Sequence, residues 1–296
     1  MRNNKIGLVL EGGGMRGAYT SGVLAAFMDE NIKFPYVIGV SAGANNGANF
    51  VAEQRERNKK VFVDYVNHKD YSGFKHWIIG KSFFNMDFLF DTLPNKLVPF
   101  DYETFEKSPT VFKACVTECS TGEPVYFEKS QFSGVEFMEI VLRASSSLPI
   151  LSPPVEINGK LYFDGGITDS IPLEKSIEDG NMYNVVVLTR NKGYIKEPQT
   201  LGLYSRHYLK KYPKVLDAIE KRHIKYNITL EKINDLEEEG FVYVFRPIDE
   251  IIVDRLEKDT DKLNKLYEQG YRETMEQMSK FKNWLTDAVE DKASIV

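Results

Sequence analysis

Cysteine and histidine are scarce in this chain: 296 residues contain two cysteines and four histidines. Cys115 and Cys119 share the strand-like run VFKACVTECS, where residues four apart sit on one face about 13 Å apart at ~3.3 Å per residue. A disulfide needs Cα atoms within about 7 Å, so the pair reads as two small buried thiols. A C-x3-C pair with no histidine pair beside it is also a poor metal site. Long apolar runs are missing. None approaches the roughly 18 residues of a spanning helix, and Ile6 to Leu10 is shorter than a signal-peptide core of about 7–15 residues. Positive charge is not in excess either, with 38 Lys and Arg against 43 Asp and Glu and a net charge of −5. A nucleic-acid binder needs a basic face, so no nucleic-acid partner is expected. These absences point to the cytoplasm, with room for a location peripheral to a membrane.

What is present begins with alternation. Ile6 to Leu10 is a short apolar run of the kind that forms a buried parallel strand. Gly12-Gly13-Gly14 breaks it, and Met15 to Glu30 keeps a helical spacing of apolar and small residues. Tyr36 to Val40 is a second strand, and Ala42 to Arg57 a second helix. Two strands joined by a helix form a parallel βαβ unit. Further strands are expected at Thr110–Thr117, Pro124–Phe127, Asn184–Thr189 and Phe241–Phe245, and a helix at Val135–Ala144. Val155–Ile157 and Lys160–Phe163 flank Asn158-Gly159, a strong two-residue hairpin signal. After residue 200 the texture turns to charged amphipathic helices, Ser205–Glu239 and Arg255–Val289. The expected organisation is an α/β core over residues 1–200. A helical region, 201–296, packs on that core and returns one strand at about 241–245.

Two glycine-rich turns carry the chemistry. Gly12-Gly13-Gly14-Met15-Arg16-Gly17 follows a strand and opens a helix, the setting of a dinucleotide fingerprint. That reading also requires an acid after the second strand, where the chain has Ile38-Gly39-Val40-Ser41. Glycine amides at a helix start can instead stabilise an oxyanion. The second turn, Gly39-Val40-Ser41-Ala42-Gly43, matches G-x-S-x-G between a buried strand and a helix. Flanking glycines permit the sharp turn that lifts a serine hydroxyl above a sheet, and the Ala42 amide points to the same side. With a nucleophile on the neighbouring turn, the glycine loop reads as an oxyanion hole.

Serine needs a base. His68, His76, His207 and His223 all lie among bulky or charged residues, although Ser41, Asp164 and His207 or His223 follow the chain order of an α/β-hydrolase triad. Asp164 is better placed, at the end of the strand Tyr162-Phe163 and followed by Gly165-Gly166, which keep its approach open. Strand ends are where an α/β sheet gathers its site residues. The alternatives are a His-dependent esterase and a non-catalytic lipid- or nucleotide-binding module.

Together these residues resemble the patatin-like phospholipases, particularly the bacterial members. Four blocks carry the resemblance over roughly residues 5–190: Gly12–Gly17 with its Arg16, Gly39–Gly43, Ala144-Ser145-Ser146-Ser147-Leu148-Pro149, and Asp164-Gly165-Gly166. Gly166 is a departure, since many relatives carry Ala there. The resemblance implies a three-layer α/β/α sandwich with a mainly parallel central sheet, and hydrolysis of lipid acyl esters without a metal or other cofactor. Ser41 is then the nucleophile and Asp164 the base. Gly12, Gly13 and Gly14 line the oxyanion hole, while Arg16 and Gly17 complete that loop. Gly39, Ala42 and Gly43 form the elbow, with Gly165 and Gly166 in support. The implied partner is a lipid or another acyl ester, with transient contact at a membrane surface. The oligomeric state is not implied.

Residues 71–100 are dense in aromatic and aliphatic side chains, among them Phe74, Trp77, Ile78, Ile79, Phe84, Met86, Phe88, Leu89 and Phe90. They suit a lid, an acyl-chain pocket or plain core packing. Tyr204, His207, Tyr208, Lys210, Lys211 and Tyr212 read as a solvated helix face.

Overall fold

The computed structural model of the chain describes residues 6–73 and 82–290. Eight strands form one sheet: β1 (Ile6–Leu10), β2 (Tyr36–Val40), β3 (Val111–Glu118), β4 (Pro124–Glu128), β5 (Val155–Ile157), β6 (Lys160–Asp164), β7 (Tyr183–Val187) and β8 (Val242–Phe245). The order runs β5-β6-β3-β2-β1-β7-β8, with β4 also on β3. Strands β3, β2, β1, β7 and β8 are mutually parallel, whereas β4 and β6 run against β3 and β5 against β6. The parallel strands are apolar at nearly every position because both faces are covered. Alternate side chains prove it. Leu8, Leu10, Val185, Val187 and Phe245 face one core with Leu24, Phe27 and Phe281. Val9, Ile38, Val186 and Val244 face another with Leu173, Tyr226 and Ile233.

The regular α-helices of six or more residues are α1 (Gly17–Asp29), α2 (Ala42–Val51), α3 (Tyr102–Lys107), α4 (Leu173–Glu178), α5 (Leu203–Leu209), α6 (Pro213–Glu238) and α7 (Thr260–Glu290). Helices α1, α2 and α7 cover the first face, α4 and α6 the second. The fold is therefore a layered α/β sandwich with a mostly parallel sheet and a helical C-terminal part. Helix α7 reaches α1 through two glycines: a Cβ on Gly22 would lie 2.1 Å from the Tyr267 carbonyl, and one on Gly270 2.2 Å from that of Tyr19. Backbones this close fasten the C-terminal helix to the first helix of the chain. Strand β8 extends the same sheet beside β7.

Several boundaries differ from expectation for local reasons. The helix expected over Ser205–Glu239 is two, α5 and α6, because Pro213 lacks an N–H and starts a new helix at its first turn. Helix α2 stops at Val51, and α7 starts at Thr260 rather than Arg255. Asn158 and Gly159 both take positive φ (49° and 77°), as a primed hairpin turn requires. Tyr208 and Tyr212 join a buried cluster with Phe163 and Leu209, so only part of their helix face is solvated, whereas Tyr204 is exposed. Phe74, Trp77, Ile78 and Ile79, like His76, lie outside the described residues.

Candidate active site

The turn after β2 places Ser41 at φ 53° and ψ −121°, outside the regions a non-glycine residue ordinarily occupies. The surroundings hold it there. The Ser41 amide donates to Ser145 Oγ (2.9 Å), and that hydroxyl donates to the Cys115 carbonyl on β3 (2.7 Å). Asn45 Nδ2, one turn into α2, donates to the Ser41 carbonyl and to Ser146 Oγ, both at 2.9 Å. Glycine is needed on either side. A Cβ on Gly39 would lie 2.7 Å from the Ala44 amide nitrogen, and one on Gly43 2.4 Å from the Leu10 carbonyl oxygen.

Asp164 ends β6 and is buried. Its amide donates to the Ser147 carbonyl (2.9 Å), and its own carbonyl accepts from Thr117 Oγ1 (2.9 Å). Oδ1 accepts from the Gly166 amide (2.7 Å), and the Ser41 side chain is a further hydrogen-bond partner of the carboxylate. Burial raises the Asp164 pKa above the usual carboxylate value. The hydrogen bonds from Ser41 and Gly166, and the positive charges of Arg222 and Arg255, hold the rise back. A carboxylate with a raised pKa is a better proton acceptor near neutrality than an exposed one. Gly165 must be glycine, since a Cβ there would stand 2.3 Å from the Cys115 carbonyl oxygen.

The glycine loop lies beside the serine. A Cβ on Gly12 would come within 3.4 Å of the Ser41 Cβ, and one on Gly17 within 2.9 Å of the Ala42 Cβ. The Gly12 amide donates to the Ser170 carbonyl and that of Met15 to the Arg255 carbonyl, each at 3.1 Å. Among the described residues the amides of Gly13 and Gly14 have no such partner. Gly14 has φ +58°, and a Cβ there would meet the Arg255 carbonyl oxygen at 2.6 Å. Arg16 is buried.

These residues meet in one pocket of about 110 Å³, lined by Gly12, Gly13, Gly14, Ser41, Ala42 and Asp164 at its polar end. Its apolar wall comes from Phe62, Tyr71, Phe84, Met86, Leu89 and Phe90. Part of the aromatic-rich stretch 71–100 is thus pocket wall, while Phe88 stacks on His68 in the core behind it (4.7 Å between centroids). No described histidine lines this pocket. His207 is exposed on α5. Cys115 is buried with its thiol pKa pushed up by burial, and neither cysteine is bonded to another.

Comparison with known proteins matches residues 8–176 to the family described as patatin-like phospholipase. The chain belongs to that family. A second match, to a domain of unknown function (DUF6363), covers residues 212–286. An Escherichia coli protein named YjjU, uncharacterized, is 30% identical over 190 residues, 62% of this chain and 52% of that protein. A lysophospholipase nte1 of Aspergillus terreus is 26% identical, over 94% of this chain and 18% of that protein. The chain thus spans about half the length of the first relative and far less of the second. The crystal structure of VipD from Legionella pneumophila shares the fold at a TM-score of 0.50 and 12% identity, covering 94% of this chain and 67% of that one.

Within this family member, the motifs put Ser41 and Asp164 in one pocket but did not reveal what fixes them. Ser145 and Ser147 tie the third block to the serine and to the aspartate respectively. Arg222 and Arg255 reach the pocket from the C-terminal region and have no local sequence signature. Glu11, next to the glycine loop, is buried. Its carboxylate accepts from the Thr189 amide and from Tyr226 Oη (2.7 Å) and so locks β1, β7 and α6 together beneath the site. Among the described residues, no helix is long and apolar enough to cross a membrane, and no group of three His, Cys, Asp or Glu is placed to hold a metal.

Proposed function

We propose that this chain is a lipid acyl hydrolase of the lysophospholipase or phospholipase A type, with Ser41 as nucleophile and Asp164 as its base. One observation carries the reading: the Ser41 side chain is hydrogen-bonded to a buried carboxylate of raised pKa, next to two uncommitted glycine amides. Ser41 Oγ attacks the ester carbonyl carbon while Asp164 takes the hydroxyl proton. The amides of Gly13, Gly14 and Ala42 receive the oxyanion, and Gly12 lets the loop approach by lacking a side chain. The bond from carbonyl carbon to alcohol oxygen breaks, and Asp164 returns the proton to the departing alcohol. Water then attacks the acyl-enzyme, gives its proton to Asp164, and releases the carboxylic acid as Ser41 Oγ is reprotonated. The apolar wall of Phe84, Met86, Leu89 and Phe90 supports an acyl chain as the occupant. The lysophospholipase name of a relative supports lipid as its source. Two unpaired cysteines support work in the reducing cytoplasm.

The test is hydrolysis of short- and long-chain p-nitrophenyl esters by wild type, Ser41→Ala and Asp164→Ala. Both variants should lose at least about a thousandfold in kcat with their folding intact. Full activity in Ser41→Ala overturns the reading. Full activity in Asp164→Ala transfers the base to another residue.

A further inference from the structure

Behind the glycine loop, next to the pocket of the dyad, lies a second cavity of about 660 Å³. Five cationic side chains wall it: Arg16, Arg190, Lys196, Arg222 and Arg255. Arg222 and Arg255 line both cavities and so form the boundary between them. Among the described residues, the only carboxylates on the wall are Glu197 and Asp254, both exposed. Glu11, the buried acid nearby, hydrogen-bonds the Thr189 amide and the Tyr226 hydroxyl, and its single negative charge offsets only part of the positive charge on Arg16, Lys196 and Arg222. The arginine ion pairs found among the described residues belong elsewhere, to Arg55, Arg143, Arg206, Arg246 and Arg272.

Clustered like charges that are partly desolvated and outnumber the acids facing them, here Glu11 and Asp164, are costly. The effect is visible on three of them. Burial and Arg190 lower the Arg16 pKa to about 10. Burial and Arg255 bring Arg222 to about 10, and burial with Arg222 and Arg255 brings Lys196 to about 7. A buried donor and a second buried nitrogen are also left over. Arg16 Nε is buried without a hydrogen-bond partner among the described residues, as is Nδ1 of His223 on the same wall. An anion with several acceptor oxygens answers both deficits, and a guanidinium cluster matches phosphate geometry. A quaternary ammonium group, by contrast, would have to compete with the cations already lying over the nearby tyrosine rings. Arg190 already covers Tyr194 (4.6 Å) and Lys196 covers Tyr226 (4.0 Å).

We propose that this cavity is an anion subsite, walled by Arg16, Arg190, Lys196, Arg222 and Arg255, that holds the terminal phosphate of an acyl-ester substrate. The proposal rests on the acyl-hydrolase reading above and narrows it. The preferred substrate carries a phosphomonoester on its alcohol portion, which leaves Ser41 toward Arg222 and Arg255 while the acyl chain lies against Met86 and Leu89.

Binding is measured first without turnover, by calorimetric titration of the Ser41→Ala protein with glycerol 3-phosphate and with inorganic phosphate. The Arg190→Gln/Lys196→Gln combination on that background should weaken glycerol 3-phosphate binding at least about tenfold, and Arg190→Lys, which keeps the charge but loses the planar fork, should weaken it by less. In active enzyme, the same pair of substitutions should lower kcat/KM about tenfold or more for 1-acylglycerol 3-phosphate and leave 1-acylglycerol of the same chain unchanged. An equal fall on both esters, or no binding of glycerol 3-phosphate, overturns the subsite. Inorganic phosphate binding as tightly as glycerol 3-phosphate, with no discrimination between esters, assigns the cavity to free phosphate and overturns the headgroup role. Failure of wild type to cleave either ester, with Arg190- and Lys196-dependent binding intact, sinks the hydrolase reading while sustaining the anion site.

Discussion

Ser41 and Asp164 stand at the ends of two strands that approach each other along a single edge of β3. Strand β2 runs parallel to β3 and ends with Val40 opposite Cys115; β6 runs antiparallel and ends with Asp164 opposite Val116. Strand β4 occupies the other edge, pairing the same Cys115 and Val116 with Tyr126 and Val125. The serine that follows Val40 therefore meets the aspartate through adjacent ladder positions of one strand. No mobile loop has to bring the two groups together. Positioning of this kind is what a weak carboxylate base requires.

The first prediction concerns Asp164→Asn, which keeps the shape of the side chain and removes its charge. Hydrolysis should fall by at least about a thousandfold. Stability should move the other way. Burial raises the Asp164 pKa from 3.8, so the folded chain holds this proton more tightly than the unfolded chain. Wild type is then favoured relative to the variant below about pH 4, and loses that advantage as pH rises through the folded-state pKa. Melting temperatures across pH 4 to 8 should show the variant gaining on wild type. A constant difference contradicts the burial argument. For the same reason, the acid limb of kcat/KM should lie above the usual carboxylate range.

Ser145→Ala is the second. The Ser145 hydroxyl is fully buried and joins the Ser41 amide to the Cys115 carbonyl. Its loss leaves a donor and an acceptor unsatisfied and should cost about 1–3 kcal/mol of stability. The elbow also loosens. We expect kcat to fall about tenfold with KM little changed, because the serine is displaced and the acyl pocket is not. A change confined to KM contradicts this positioning role.

Much of this arrangement was legible because it is local. The elbow, the glycine loop and the Asn158-Gly159 hairpin are strand-turn-helix or strand-turn-strand patterns written within about ten residues of chain. Asp164 was visible for the same reason, as an acid closing an apolar strand before two glycines. The partners that hold these groups were not visible. Ser145 reaches Ser41 across 104 residues, and Tyr226 reaches Glu11 across 215. Arg222 and Arg255 come from charged segments whose periodicity marks a solvated helix face or loop, and only packing against the sheet turns them inward. The split at Pro213 is a different kind of miss, since a proline fits the first turn of a helix and not its interior, and so marks where the run Ser205–Glu239 divides.

Third, Gly43→Ala should be far worse than its chemistry suggests. The added methyl would sit 2.4 Å from the Leu10 carbonyl oxygen and 2.6 Å from that of Glu11, both backbone atoms at the end of β1. Helix α2 must retreat from the sheet, at a cost of about 1–3 kcal/mol, and the serine moves with it. Gly202→Ala, where nothing stands within 4 Å of the new methyl, should stay within about 0.5 kcal/mol of wild type. Comparable melting temperatures for the two variants contradict the close approach of α2 to β1.

The fourth prediction separates an acyl pocket from plain core packing. Leu89 is only half-buried and shares the pocket wall with Met86 and the buried Phe90. Leu89→Trp can therefore fill the pocket without disturbing the sheet. If the acyl chain lies against this wall, the indole displaces its outer methylenes and leaves the carbonyl at Ser41 untouched. Each methylene returned to water costs ~0.8 kcal/mol, so excluding two or three lowers kcat/KM for long-chain esters by about 30-fold. Butyrate esters, too short to reach the wall, keep their rate. The readout is the ratio of long- to short-chain kcat/KM, which cancels any loss of folded protein. A proportional loss on both esters would return Leu89 to the core and leave the chain to another path.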